Sequence, residues 1–570
     1  MQLSKPIDHP SDKPVLGFLS AWIVLNLFQA GACELHPDEA YYWVYSRFLD
    51  WGYFDHPPMV ALFIRAGYAL FADELGVRLL TVISQAAALF LLWRLAKSYG
   101  ARPLIFCITT ACLTIIHVYG FTTTPDSALF FFAVCFFYLY KSYVEEDRIS
   151  TTLLLTLVTA GLLYSKYHGV LLIIITLCAN PALFRRGSFW IITFGALLLF
   201  SPHILWQISN HYPSLQYHLY ERSSSGYKPE YTLTFIPGQL LVAGPLVGWL
   251  FYYRAWSFRT KQKDLFIRML KVNAIVFPVF LLLLTFKQNI QPHWTLIAYI
   301  PILLLAVISL SQKRPRWFAG LAVANIVLIL IFRSLIIFPT PLVTKIAPLY
   351  AYFGNKTWTE DLLKQTLDTP VVVLDHWQNA ARFDFYSRST LAYAYASYRY
   401  RRSQFDYFPL EDSLRGKPVW IQSPDSLNKN SRYMGSERNG FLTPVKEFHS
   451  YQKIQIGIGT EKLQVKTASE LPVSLQFTAP KIAGYGLNNH GIDSLVHLRY
   501  HYVQRKPDTD TSFSLDSVLK RVQLPVYDSV SVQTRLKAPD KPGQYELIFS
   551  LQADPLPGGR NSRRIAVTVY

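Results

Sequence analysis

Between His36 and Met59 the chain reads HPDEAYYWVYSRFLDWGYFDHPPM. Two clusters of acids and histidines, His36/Asp38/Glu39 and Asp55/His56, stand there among tyrosines and tryptophans. Amphipathic rings of this kind settle at a membrane–water interface. The stretch follows directly on the first long apolar run, Val15 to Cys33. Carboxylates and imidazoles can take and return protons. Placed where a membrane helix meets water, they suggest chemistry on something lipid-borne.

The elements that must hold these residues follow from composition. The chain has 570 residues, 51% of them hydrophobic and 15% aromatic, with a formal charge of +18. Up to Phe338 it is a series of nearly uncharged runs, each roughly 17–22 residues long and able to cross a bilayer. About eleven candidate spans start near Val15, Gly76, Pro103, Pro125, Thr151, His168, Ser188, Pro237, Arg268, His293 and Trp317. The first reads as a retained anchor, because it is long for a signal segment and lacks a small-residue cleavage site. From Pro339 onward the composition is that of a water-soluble chain.

Charge sorts the connections. Lys97/Arg102, Lys141/Arg148, Arg185/Arg186, the Arg254–Arg268 loop and Lys313/Arg314/Arg316 fall on one side, which the positive-inside rule makes cytoplasmic. The N-terminus then lies in the cytoplasm and the tail outside it. The other side receives Asp38, Glu39, Asp55, His56, Asp126, Lys166, His168, Arg222, Lys287 and His293. In the first outer loop, Asp38–Asp50 and Pro58–Ala72 have the spacing of two juxtamembrane helices, the second started by Pro57-Pro58.

Three domains are expected. Residues 1–338 form the membrane domain, 339–438 a small α/β domain and 439–570 a β-sandwich. Pro370–Asp375 and Pro418–Gln422 read as strands flanking a helix at Trp377–Ser387. Leu498–Val503, Val530–Leu536 and Gln544–Gln552 alternate as strands, and PGQYELIFSLQ is similar to closing strands of an immunoglobulin-like sandwich. All five cysteines lie in or beside apolar runs, where they read as small core residues rather than a disulfide frame.

The segments HPDEAYYW, FDHPPM, TTTPDSALFFF, YSKYHG and QPHWTLIAYIP, in this order, resemble the GT-C-type membrane glycosyltransferases. The resemblance is to glycosyltransferase family 39, related to dolichyl-phosphate-mannose–protein mannosyltransferases and lipid A aminoarabinose transferases, and it covers roughly Leu16 to Phe338. It implies a polytopic helical fold and sugar transfer outside the cytoplasm, in the inner membrane of a bacterium. The implied donor is a polyprenyl-phosphate sugar and the acceptor a lipid, glycan or protein. Inversion at the anomeric carbon is part of the same implication.

Such transfer needs a carboxylate to take the acceptor's proton and cations beside the leaving phosphate. By resemblance Asp38 is the base, with the alternative that it caps a helix after Pro37. Glu39 projects about 100° away on a helix and is expected to orient a substrate hydroxyl or pair with Lys166. Asp126 is a second acid or a helix cap. Asp55 and His56 stand where some branches carry an acid followed by Lys, so Asp55 would bind an acceptor or ion and His56 the donor phosphate. His56 would be cationic only with a raised pKa. Lys166 and His168 would face the phosphate, unless Lys166 snorkels to headgroups. Arg222, His293 and Lys287 are further donor-site candidates, and His203 reads as a satisfied buried histidine. In the tail, Arg401-Arg402 reads as an anionic-headgroup contact or a solvated turn.

A divalent metal is compatible with these ligands, although none of them forms an H-x-x-x-H pair. His497 and His501 have that spacing in a strand without a third ligand. No Walker loop, dinucleotide fingerprint or nucleic-acid signature is present. Two other function classes remain at this point. A carrier or flippase of lipid-linked sugars would place its polar site near the midplane. A surface-binding protein would need only one anchor.

Overall fold

The computed structural model describes residues 11–222, 227–260, 264–338, 340, 347–435, 440–478, 496–505, 508–519, 522 and 529–570. It divides into two compact units, Met1–Phe353 and Gly354–Tyr570. The first unit is helical: α1 (Lys13–Ala32), α2 (Pro37–Arg47), α3 (Met59–Tyr68), α4 (Glu74–Lys97), α5 (Pro103–Ala111), α6 (Thr114–Tyr119), α7 (Pro125–Glu145), α8 (Ile149–Ser165), α9 (His168–Ala179), α10 (Gly187–Ser209), α11 (Pro213–Gln216), α12 (Pro229–Ala243), α13 (Gly248–Ser257), α14 (Leu265–Leu284), α15 (Tyr299–Gln312) and α16 (Phe318–Ile337). A 3-10 turn, Pro292–Ala298, leads into α15. Prolines open α2, α5, α7 and α12, where a missing N–H costs nothing.

Among the described residues, seven helices are long and apolar enough to cross a membrane: α1, α4, α7, α10, α14, Pro292–Gln312 and α16. The pair α12–α13, bent by 94°, is an eighth if it is taken as one span. The bend lies at Gly244, whose φ of +129° suits glycine and where a Cβ would lie 2.6 Å from the Cys112 carbonyl oxygen. Expected starts near Pro103, Thr151 and His168 fall on the shorter elements α5–α6, α8 and α9. The two juxtamembrane helices are α2 and α3. Exposed Leu154 and Leu157 on α8, Leu198 on α10 and Val323 on α16 form outward faces suited to lipid. Pro292–Gln312 is by contrast almost wholly buried among the other helices.

Polar contacts mark the two ends of the bundle. At one end Lys97 and Trp93 of α4 bind Asp12 before α1, Tyr99 binds Asp264 before α14, and Arg186 before α10 binds the Tyr143 carbonyl of α7. At the other end the starts of α2, α4 and α7 meet the end of α1. The carboxylate of Glu39 and the guanidinium of Arg78 are both wholly buried and 2.7 Å apart. Arg78 also donates to the carbonyls of Ala30, Cys33 and Glu34. Glu39 accepts from the backbone N–H of His36 and of Thr123. Every donor of the buried cation faces an acceptor, which is the condition under which such a pair is tolerated.

In the second unit the strands are β1 (Val371–Leu374), β2 (Ala392–Tyr395), β3 (Val419–Ser423), β4 (Arg432–Tyr433), β5 (Phe441–Val445), β6 (Gln455–Gly457), β7 (Lys462–Val465), β8 (Glu470–Thr478), β9 (Val496–Arg505), β10 (Asp508–Ser514), β11 (Ser529–Lys537), β12 (Gly543–Ala553) and β13 (Ile565–Val569). The first sheet runs β2-β1-β3-β5-β4. It is parallel through β2-β1-β3, with the helix Trp377–Ser387 between β1 and β2. Because β5 pairs with β3, this sheet extends past the expected boundary at residue 438. The sheets β10-β9-β12-β13-β7 and β11-β8-β6 share one apolar core, including Leu475 and Phe477 of β8 and Leu498, Tyr500 and Phe549 facing them. Arg402 donates to the Arg560 carbonyl, and His497 and His501 take separate partners, Asp516 and Ser550.

Replacing Arg78 with Met leaves the Glu39 carboxylate buried without its cation. Stability should fall by about 3–5 kcal/mol. The thermal midpoint of the detergent-purified variant checks this, and an unchanged midpoint would refute the structural weight given to the pair.

Candidate active site

The first turn of α2 is capped by His36 and Glu39, not by Asp38. His36 Nδ1 accepts the Asp38 N–H at 3.2 Å and Glu39 Oε2 accepts the His36 N–H at 3.0 Å. Asp38 is thus not the cap. Its carboxylate is half-exposed at the rim, 3.9 Å from His36 Nδ1. Glu39 is directed the other way, into the Arg78 pair. The expected Glu39–Lys166 pairing is therefore not formed, because Arg78 satisfies Glu39 inside the helix junction.

Lys166 belongs to Asp126 instead. Its Nζ donates to Asp126 Oδ1 and Oδ2 at 2.9 and 2.7 Å, and both side chains are only 6% exposed. The helix α7 takes Thr124 as its N-cap residue, with Ser127 Oγ accepting the Thr124 N–H, so Asp126 does not cap it. Lys166 follows the last turn of α8 with extended backbone, and this short break between α8 and α9 aims Nζ inward. Snorkelling is excluded by that geometry.

Around the pair lie His293, Trp294 and His168. His293 Nε2 is 3.9 Å from Asp126 Oδ2. The Trp294 ring is met by Lys166 Nζ at 5.9 Å, by the Arg222 guanidinium at 4.4 Å and by the His168 ring at 5.1 Å. Two cations over one indole are a cation–π arrangement. The charges of Asp126, Lys166, Asp38 and Arg222 all act on the His293 ring, so the rim carboxylate and the buried cations share one electrostatic site.

The segment 51–56 forms another wall. Asp55 is buried and accepts the Tyr45 hydroxyl hydrogen. The His56 ring is 5.7 Å from Tyr42 and 6.1 Å from His218, and its Nδ1 is buried without a hydrogen-bond partner among the described residues. Burial, then the charge of Lys166, pushes the His56 pKa well below its ordinary value. Burial lowers His218 as well. His56 is therefore a neutral imidazole near neutral pH and not a cation. The Tyr42 hydroxyl is held un-ionised by burial first, then by the carboxylates of Asp38, Asp55 and Asp126.

Asp38, Asp55, His56, Asp126, Lys166, His168, Arg222 and His293 are thus gathered at one end of the bundle. Glu39 supports it from behind, and Lys287 is exposed. His203 is satisfied, with Nδ1 at 2.8 Å from the Trp51 carbonyl and Nε2 at 3.2 Å from the Tyr167 hydroxyl. Sequence reasoning missed Arg78, Tyr42, His218 and Trp294. A charge in the first turns of an apolar helix, as Arg78 is, marks a functional or paired group. His218 carries no such signal. Among the described residues no group of three His, Cys, Asp or Glu side chains is arranged to hold a metal ion.

Comparison with known proteins agrees with this architecture. Residues 55–206 match the family model described as dolichyl-phosphate-mannose-protein mannosyltransferase. The chain is 25% identical over 342 residues to the lipid A galacturonosyltransferase RgtD of Rhizobium johnstonii, covering 57% of this chain and 70% of that protein. Its fold is similar to that of ArnT from Cupriavidus metallidurans in the apo state, with a TM-score of 0.58 at 15% identity, covering 75% of this chain and 97% of the other. The same protein bound to undecaprenyl phosphate gives a TM-score of 0.56 at 15% identity, over 76% and 98% of the two chains. The resemblance read from the sequence motifs is borne out, and the chain is an integral membrane protein with a fold similar to that of ArnT.

The neutral histidines have a pH consequence. Because the folded-state pKa values of His56 and His218 lie below 6.5, the folded state binds fewer protons than the unfolded chain in acid. Stability is present above about pH 6.5 and is lost as pH falls below it. Thermal midpoints of the wild type and His56→Gln between about pH 7.5 and 5 should diverge, the variant losing less. Parallel curves would exclude His56 as a source.

Proposed function

We propose that this chain is a membrane glycosyltransferase that moves a sugar from a polyprenyl-phosphate donor to a lipid, glycan or protein acceptor. The observation that carries the reading is that a half-exposed carboxylate, Asp38, and a buried cation cluster at Lys166 and Arg222 stand at the same end of the bundle. The acceptor hydroxyl meets Asp38 at the rim and gives up its proton as oxygen attacks the anomeric carbon. The bond from that carbon to the lipid phosphate breaks, and the phosphate leaves carrying the electron pair. Attack from the face opposite the leaving group gives inversion, as the resemblance implies.

Lys166 has three donors, so it can keep Asp126 and still offer a hydrogen to a phosphate oxygen. Arg222 adds a second cation. His56, His168 and His293 supply imidazoles around the same space; as a neutral ring, His56 donates a hydrogen bond rather than charge. Asp126 then acts by holding Lys166, and Glu39 by holding the first turn of α2 so that Asp38 is presented. RgtD is named for transfer to lipid A and an ArnT structure holds undecaprenyl phosphate, which favours a lipid acceptor and a polyprenyl carrier here. The charge bias of the connections supports a cytoplasmic N-terminus, an extracytoplasmic site and tail, and residence in a bacterial inner membrane. A carrier reading is disfavoured, since the buried ionisable groups Glu39, Asp55, Arg78, Asp126, Lys166 and Arg333 gather toward one end of the helices.

Transfer from defined polyprenyl-phosphate sugars tests the proposal. Asp38→Asn should fold and insert normally and lose roughly 10²–10⁴-fold in turnover; wild-type turnover in that variant would remove Asp38 from the mechanism. Lys166→Ala should weaken donor binding and lower stability by about 3–5 kcal/mol, because Asp126 is left unpaired. Donor affinity equal to wild type would separate Lys166 from the phosphate.

A further inference from the structure

Three chain segments carry the candidate donor-side residues: 51–56 with Asp55 and His56, 166–168 with Lys166 and His168, and 214–222 with His218 and Arg222. One hydrogen-bonded network joins them. His203 Nδ1 lies 2.8 Å from the Trp51 carbonyl oxygen, Ser214 Oγ donates to the Tyr53 carbonyl at 3.0 Å, and His218 Nε2 lies 2.9 Å from the Asp55 carbonyl. These are alternate residues of one short loop segment, so three of its carbonyls are held at once. A carbonyl only accepts, so His203 must carry its proton on Nδ1 and His218 on Nε2.

The network closes on itself. His203 Nε2 accepts the Tyr167 hydroxyl hydrogen at 3.2 Å, and the Gln207 amide donates to Tyr167 Oη at 3.0 Å and to Ser214 Oγ at 2.7 Å. Tyr167 lies between Lys166 and His168 in the chain, so the same bonds fix the break between α8 and α9. The Trp206 indole donates to Asp50 at 2.7 Å. Gly52 lets this loop segment come so close, since a Cβ there would stand 2.4 Å from the Trp206 ring and 2.9 Å from His203 Nδ1. His203 and Gln207 are one turn apart on α10 and buried, as is Ser214.

We infer that His203, Gln207 and Ser214 are positioning residues for the donor site, holding the His56, Lys166 and Arg222 segments in one register from the end of α10. This rests on the transferase reading. It adds that the cation cluster is assembled from the end of α10 and not by the donor alone. A displacement of about 1 Å in such a site can cost roughly 100-fold.

The test uses the full-length protein in nanodiscs with undecaprenyl phosphate as the probe. Ser214→Ala and His203→Ala should each weaken its binding by about 10-fold or more. His203→Asn, whose side-chain amide can still donate toward Trp51, should recover to within about threefold. Backbone amide exchange over residues 51–56 should rise in both Ala variants and not in His203→Asn. Folded Ala variants with wild-type affinity and exchange would overturn the inference. So would His203→Asn failing as badly as His203→Ala. If Ser214→Ala does not fold, the two His203 variants decide. Absence of binding by the wild type would instead defeat the transferase reading, and the exchange data would still decide the network.

Discussion

The 2.7 Å contact between the wholly buried Glu39 and Arg78 fixes where four segments meet. A guanidinium taken from water into a helix bundle is costly unless each donor is matched. Arg78 matches its donors with Glu39 and three carbonyls at the end of α1. Glu39 in turn holds the amide of Thr123, just before the turn that starts α7. Through this one carboxylate the end of α1, the starts of α2 and α4 and the approach to Asp126 share a common reference. Asp38 and Asp126, far apart in the chain, acquire fixed positions on two sides of it. Arg333 extends the same region with a different solution, bonding to Gln29, Asn26 and His117 at 2.6–3.1 Å.

Burial also decides which groups carry charge in the pocket. Lys166 and Asp126 form a close buried ion pair whose opposite charges offset one another at a distance. His56 and His218 are desolvated next to cations and stay neutral. A lipid phosphate entering this space would meet the Arg222 guanidinium over Trp294, the Lys166 ammonium shared with Asp126 and several neutral donors. That balance suits a group whose negative charge grows as a bond breaks, because fixed donors stabilise the later state more than the earlier one. An array of fully cationic histidines would bind the phosphate in the ground state as well.

The readings of individual residues divide along the same line. Asp38 and Asp126 each stood as either a cap or a functional acid. The caps belong to His36 with Glu39 and to Thr124 with Ser127, which removes the cap alternative for both. Lys166 was legible as an unusual cation at a span end, yet its partner was not, because Asp126 lies 40 positions away. Glu39 was paired with the wrong cation for the same reason: Arg78, 39 positions on, sits in an apolar run where its charge was overlooked. His218 was invisible, since one histidine in a loop has no periodicity or company to mark it.

Apolar run length, proline starts and the charges at run ends are local properties, and each has a direct counterpart in the cost of placing backbone or charge in hydrocarbon. From them the sequence alone determined a bundle of spans, two short helices in the first outer loop, a soluble tail with its main strands, and an end of the bundle rich in acids and cations. Which acid meets which cation, which histidines stay neutral, and how α10 ties the loop 51–55 to the Lys166 and Arg222 segments depend on helices packing side by side. Those contacts are set by the mutual fit of surfaces distant in the chain, so only the tertiary structure decided them.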